Sequence, residues 1–319
     1  MEHRGEQIII PRMTEIIATM ECEARGYLHP VNREETNWKT VDNAVALAGT
    51  FGHHRIENYI RKKMGLEEIE LELDEPSKIL KDTIYKSNQG YLWFSEYIKK
   101  AFSNFLEWEN DFKPTYIVPE ITMTYIHEDK GVVDPKKSVK GTVDLICELD
   151  PDKMSSRARN IVEIHEPSTV MLDWKTGMAK LESHHAQLEG YDWMLDATNT
   201  RSDLSMILSK PWLKVVEDNE EIPIALCVRL GGYTYFADAY KLNSGKFEKV
   251  HRLFKRATYL VKTRSEKYGD RVFREGYHCV FCPHREDKCP IFIIQKVDLH
   301  THKTQETIAT REMLKESFR

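Results

Sequence analysis

Residues 169–177, TVMLDWKTG, constrain the chain more than any other stretch. Thr169–Leu172 are hydrophobic or β-branched without a break, the texture of a strand buried in a sheet. A carboxylate and an amine, Asp173 and Lys175, follow two residues apart, and Gly177 gives the chain a turn. Side chains alternate along a strand, so residues 173 and 175 share one face while Trp174 points to the other. The chain must therefore fold so that a buried strand delivers an acid and a base together at its end.

The surrounding texture predicts a mixed α/β chain. Residues 12–28 and 42–64 carry apolar positions at helical spacing, as in Val45, Leu47, Phe51, Ile56 and Ile60. EEIELELDEP (67–76) reads as an acidic linker, and a long aromatic-rich helical region runs from there to about Asp111. From Lys113 the reading changes: TYIVPEITMTYI and GTVDLICEL are strands, DPDKMSSRARN a turn, and IVEIHEPSTVMLDWK contains a third strand. AKLESHHAQLEGYDWMLDA reads as a helix. IPIALCVRLGG and YTYFADAY read as a strand pair turning at Gly231 and Gly232, and KFEKVHRLFKRATYLVKTRSEKY as a basic amphipathic helix. The last 30 residues are polar, with a helix expected from Gln305 on. The order β-β-β-α-β-β-α predicts a mixed sheet flanked by helices.

Asp144 lies inside the second of these strands. If it neighbours the strand of Asp173, two carboxylates converge at one sheet edge. Such oxygen ligands suit Mg²⁺ or Mn²⁺, and an ammonium beside them can orient a water or offset charge on a phosphate under attack. A D-x-K triplet alone is common and is usually a surface ion pair of small value.

GTVDLI, LDWKTG and QLEGY together resemble the G-x-x-D, D-x-K and Q-x-x-x-Y motifs of RecB-like nucleases in the PD-(D/E)XK superfamily. The separations are ordinary for that family: 29 residues from Asp144 to Asp173 and 12 from Lys175 to Gln187. Upstream, GTFGHHRIE resembles the family's G-x-x-x-H-x-x-x-E segment, with His53 on the motif histidine and His54 as the competing assignment. VPE, ending in Glu120, resembles the acidic residue on the family's first strand. The match spans roughly residues 12 to 290. The resemblance implies a restriction-endonuclease-like fold. It implies a divalent metal held by His53, Asp144, Asp173 and the Trp174 carbonyl, with Lys175 as the catalytic lysine. Gln187 and Tyr191, at i and i+4 on one helix face, would line the active site and help place DNA. Glu120 would support a second metal or a water. Without the other motifs, Gln187 is an exposed amide, Tyr191 a partly buried phenol and His53 a helix-surface histidine.

YHCVFCPHREDKCP sets Cys279, Cys282 and Cys289 in a C-x2-C-x6-C array. In a reducing compartment this spacing points to metal rather than disulfides. Three thiolates need a fourth ligand, with His278 and His284 as local candidates. The centre is tetrahedral Zn²⁺ or a [4Fe–4S] cluster. The iron–sulfur subset of RecB-like nucleases, including CRISPR-associated exonucleases, has one cysteine before the nuclease core and three after it. Cys22 stands where that first cysteine belongs, although Glu23 replaces the proline often found next. The resemblance thus implies a [4Fe–4S] cluster on Cys22, Cys279, Cys282 and Cys289, with zinc as the alternative. Cys147 and Cys227 fall inside strands and read as small buried residues.

The remaining features bound the function. Of 319 residues, 41% are hydrophobic, enough for a substantial core. The net charge of -5 disfavours a uniformly basic nucleic-acid binder but not a local groove. Basic runs occur at Arg61–Lys63, around Lys136, Lys137 and Lys140, and along the late helix from Arg252 to Lys267. No apolar run approaches the ~20 residues of a membrane span, and no signal peptide is evident, so a cytoplasmic protein is expected. No P-loop motif is present, so a helicase would be a separate partner.

The organisation expected is a helical N-terminal region (1–112) carrying Cys22 and His53, a nuclease core (113–270), a cysteine segment (271–292) and a C-terminal tail (293–319). The function expected is a Mg²⁺- or Mn²⁺-dependent deoxyribonuclease, favouring exonuclease action on single-stranded or end-bearing DNA, with a helicase or a recombination or adaptation protein as possible partner. The alternatives are a non-catalytic DNA-binding or complex-forming scaffold and a zinc-stabilised endonuclease.

Overall fold

The structure is a computed structural model. It describes residues 10–20, 41–134, 137–177, 181–196, 200–202, 224–242, 247–255, 291–298 and 303–310. The four cysteines expected to form the cluster, Cys22, Cys279, Cys282 and Cys289, lie outside the described residues. The chain divides into two compact units, one of Met1–Asn37, Ile126–Val139 and Glu248–Arg319, the other of Trp38–Tyr125 and Lys140–Phe247.

The second unit is built on a six-stranded sheet. Its strands are β1 (Thr115–Tyr125), β4 (Val139–Leu149), β5 (Ser168–Lys175), β6 (Thr200–Ser202), β7 (Ile224–Arg229) and β8 (Phe236–Lys241), in the order β6-β1-β4-β5-β7-β8. The sheet is mixed: β4–β5, β1–β6 and β7–β8 are antiparallel, whereas β5–β7 is parallel. It is flanked by helices, and helical segments precede it in the chain, as the sequence predicts.

Two helices cover one face. α2 (Val41–Lys63) and α4 (Asn88–Phe112) bury Ile56, Ile60, Phe105, Trp108 and Phe112 against Leu145, Leu172, Trp174, Leu226 and Val228. Trp174 carries that packing, its ring meeting Trp108 at 4.9 Å and Phe105 at 5.5 Å, both edge-on. α6 (Leu181–Asp196) carries the other motif residues beside β5, β7 and β1.

The single helical region expected up to Asp111 is two helices. α3 (Glu75–Tyr85) stops before Ser87, whose side chain accepts from the Gly90 N–H and restarts the chain as α4. α4 ends at Lys113, in the left-handed region at φ 48°, one residue before Pro114. The turn expected over DPDKMSSRARN also contains a short helix, α5 (Ser156–Ile161), capped by Ser155.

The first unit contains a short helix α1 (Met13–Ile17), the two-residue strands β2 (Glu128–Asp129) and β3 (Val132–Val133), and a hairpin. In that hairpin β9 (Ile291–Asp298) pairs antiparallel with β10 (Lys303–Thr310). The helix expected from Gln305 is therefore a strand. Its β-branched Thr304, Thr307, Ile308 and Thr310 favour the pleated partner supplied by IFIIQKVD over an isolated helix. Among the described residues no helix is long and apolar enough to cross a membrane.

Candidate active site

The β4–β5 ladder ends at Leu145 paired with Leu172, so Asp144 and Asp173 stand across from each other one step beyond it. Both are buried. The Trp174 N–H donates to Asp144 Oδ2 at 2.6 Å. The family resemblance implies a role for Trp174 through its carbonyl; the contact seen here is through its N–H. Lys175 Nζ reaches both oxygens of Asp173, at 2.8 and 2.6 Å. Gln187 Nε2 donates to Asp173 Oδ1 at 3.1 Å and to Tyr191 Oη at 2.6 Å. The D-x-K and Q-x-x-x-Y residues thus meet on one carboxylate.

α2 brings the histidine. His53 Nδ1 lies 3.5 Å from Asp144 Oδ1. His54 turns away, its Nε2 2.9 Å from the Ile69 carbonyl. Of the two histidines left open by the sequence, His53 is the one at the acids. Glu120 arrives from β1 in the left-handed conformation, φ 49°, immediately after Pro119. Proline lacks the ladder N–H, and a non-glycine residue at positive φ inside a strand is held there at a cost of about 1–3 kcal/mol. The result is that ligand atoms of His53, Glu120 and Asp144 all lie within 4.8 Å of one another.

Crowding sets the electrostatics. Burial pushes Asp173 up to about 6, helped by Asp144 and opposed by Lys175. Burial likewise drives Glu120 well above the usual carboxylate range, with Asp144, Glu57 and Asp173 adding to it. Burial acts the same way on Asp144, but His53, Lys175 and the Trp174 N–H outweigh it and hold that carboxyl below its ordinary value. His53 and Lys175 both lose by burial and gain more from the acids, so each is raised. Burial and the two aspartates keep the Tyr191 phenol protonated. Among the described residues the acids here outnumber the lysine in contact with them, which favours a further positive charge.

The donor set fits a hard divalent cation. His53, Glu120 and Asp144 offer one imidazole and two carboxylates, with Asp173 opposite. Glu120 joins this group more directly than the sequence reading supposed. A second group, Asp173, His184 and Cys227, has ligand atoms equally close and is wholly buried. Lys175 contacts both Asp173 oxygens, and the softer thiol of Cys227 suits Mg²⁺ or Mn²⁺ less than the carboxylates of the first group do. His184 was overlooked in the sequence, although it precedes Gln187 by three and so shares its helix face. Cys227 and Cys147 are buried strand residues, as expected.

No family model matches the chain and no curated protein matches it by sequence. A solved structure, described as the crystal structure of SSO0001, is similar over 87% of this chain and 96% of that one, at 14% identity and a TM-score of 0.32.

Proposed function

We propose that the protein is a metal-dependent deoxyribonuclease of the RecB-like, PD-(D/E)XK type, acting on single-stranded or end-bearing DNA and favouring exonuclease action. The observation that carries this reading is the pair Asp144 and Asp173 facing each other at the end of β4–β5, with His53 on one and Lys175 on the other. His53, Glu120, Asp144 and Asp173 would hold Mg²⁺ or Mn²⁺, which when bound supplies a Lewis acid and an activated water. Lys175, held on Asp173, would meet with its ammonium the charge building on a phosphate oxygen. Gln187 fixes the Asp173 carboxylate and ties it to Tyr191. The buried Trp174 holds the strand end that presents both partners.

The reading includes a [4Fe–4S] cluster on Cys22, Cys279, Cys282 and Cys289, supported by their spacing and by the family resemblance. Joining residue 22 to residues 279–289 would make cluster binding part of folding free energy. Anaerobic purification distinguishes the cluster, brown with iron and sulfide in stoichiometric amounts, from colourless zinc.

The test of activity is cleavage of labelled single-stranded and duplex DNA with Mg²⁺, Mn²⁺ or chelator. Metal-dependent cleavage of strands with free ends is expected. Binding without cleavage under every metal would replace this reading by the scaffold one.

A further inference from the structure

Arg229 is the last residue of β7 and pairs with Lys175 in the parallel β5–β7 ladder, two steps beyond the pairing of Cys227 with Asp173. Paired residues of neighbouring strands, and residues two apart on one strand, share a face. Arg229 therefore stands on the same face as Asp173 and Lys175, one strand over. The Leu230 N–H donates to the Lys175 carbonyl at 2.7 Å, fixing the two strand ends against each other.

The surroundings of this guanidinium are unusual. Among the described residues its buried Nε has no hydrogen-bond partner and no carboxylate pairs with Arg229. Asp238, the acid across from Cys227 on β8, is held by His185 at 2.6 Å. What Arg229 does have is a ring: its guanidinium carbon lies 5.5 Å from the centre of the half-exposed Phe236, a cation–π contact that orients the plane without consuming its N–H donors. Leaving a buried donor unmatched is costly. The buried Nε is out of reach of a ligand; the two terminal nitrogens, which are not among the buried unmatched atoms and which no hydrogen bond or ion pair holds among the described residues, are the donors left for an anion.

We propose that Arg229 anchors a backbone phosphate of the substrate strand, next to the phosphate that faces Lys175. This rests on the nuclease reading for the identity of the strand. The planar fork presents two parallel N–H donors in a fixed geometry that matches two phosphate oxygens, a directionality that an ammonium lacks. Arg229 is thus a positioning residue: it sets the register of the strand over the acids and touches no bond that breaks.

The experiment uses the full chain in chelator, where nothing is cut, and titrates a fluorescent oligothymidylate over a series of KCl concentrations. Arg229→Gln is expected to weaken binding about tenfold and to lower the slope of log K against log salt by about 0.7, the share of one phosphate contact on a single strand. Arg229→Lys is expected to keep the slope and lose part of the affinity. In Mg²⁺ the loss should appear in KM more than in kcat, with the melting temperature unchanged or raised. Wild-type affinity and slope in Arg229→Gln would overturn the anchor while leaving cleavage, and with it the nuclease reading, intact. An Arg229-dependent slope in a protein that never cleaves would keep the anchor and overturn the nuclease. A wild type that binds no DNA overturns both. Should the glutamine variant not fold, undiminished affinity in Arg229→Lys overturns the anchor.

Discussion

Gly49 lies against Thr176 so closely that a Cβ on Gly49 would stand 2.8 Å from the threonine Oγ1. Gly49 is one helical turn before His53, and Thr176 directly follows Lys175. Their contact therefore sets how α2 meets the end of β5, and with it the approach of His53 to Asp144. The Tyr97 hydroxyl donates to the Thr176 carbonyl at 2.5 Å and holds the same point from α4. The glycine of G-x-x-x-H has a packing reason beside its histidine.

The first prediction follows from that contact. Alanine is better than glycine in a helix by about 1 kcal/mol, but here the gain is opposed by the threonine hydroxyl. Gly49→Ala alone should be neutral or destabilising and should lower cleavage by shifting His53. In a Thr176→Ala background the same change should stabilise by about 1 kcal/mol. Thermal melts of the four proteins give the coupling; additive effects would contradict the contact.

The residues of the site were legible where the chemistry repeats at short range. Asp173 and Lys175 are two apart on a strand, and Gln187 and Tyr191 four apart on a helix, so each pair fixes its own shared face. Asp144 opposite Asp173 needed only the assumption that their strands neighbour. What was illegible depended on register between distant strands. Arg229 and Cys227 reach the site through the parallel pairing of β5 with β7, across residues that no local pattern links. The left-handed turn at Glu120 was invisible for a different reason, since Pro119 reads as a strand edge and gives no sign of where the next side chain points. At the tail, polar composition suggested a helix, and the pairing of β10 with β9 decided otherwise.

The second prediction concerns Lys175. With the ammonium in contact, Asp173 already sits at about 6 because it is buried. Lys175→Ala removes the group that opposes this burial, so the acid would spend more of its time neutral. Cleavage should fall on the order of 10²–10³ or more, with circular dichroism and the melt showing an intact fold. Asp173→Ala should do the same. Full activity in either protein would remove these residues from the mechanism.

The third prediction is a pH dependence of stability away from the site. Glu109 accepts from Tyr59 at 2.8 Å, from Lys63 at 2.7 Å and from Tyr116. Burial raises its carboxyl, but these donors outweigh it and hold it below its ordinary value. A depressed acid stabilises the fold above its unfolded pKa, and that contribution is lost as pH falls through the folded one. Glu109→Gln should therefore cost about 1–2 kcal/mol near neutrality, and the gap to wild type should close on acidification below pH ~4. Melts across pH check it; a gap independent of pH would mean that the charge is irrelevant.

The last prediction separates stability from function at Glu120. This residue combines a left-handed backbone with a carboxyl crowded by Asp144, Glu57 and Asp173. Neither feature helps the fold, and both are explained if the side chain is needed beside His53 and Asp144. Asparagine tolerates the left-handed region and carries no charge. Glu120→Asn should therefore be as stable as wild type in chelator, or more stable by about 1 kcal/mol, while its metal-dependent cleavage drops and shifts to higher Mg²⁺ concentration. Melts in chelator and a Mg²⁺ titration of the rate read the two effects separately. A variant that loses stability and keeps its Mg²⁺ dependence would make Glu120 a structural residue and leave the cation to His53, Asp144 and Asp173.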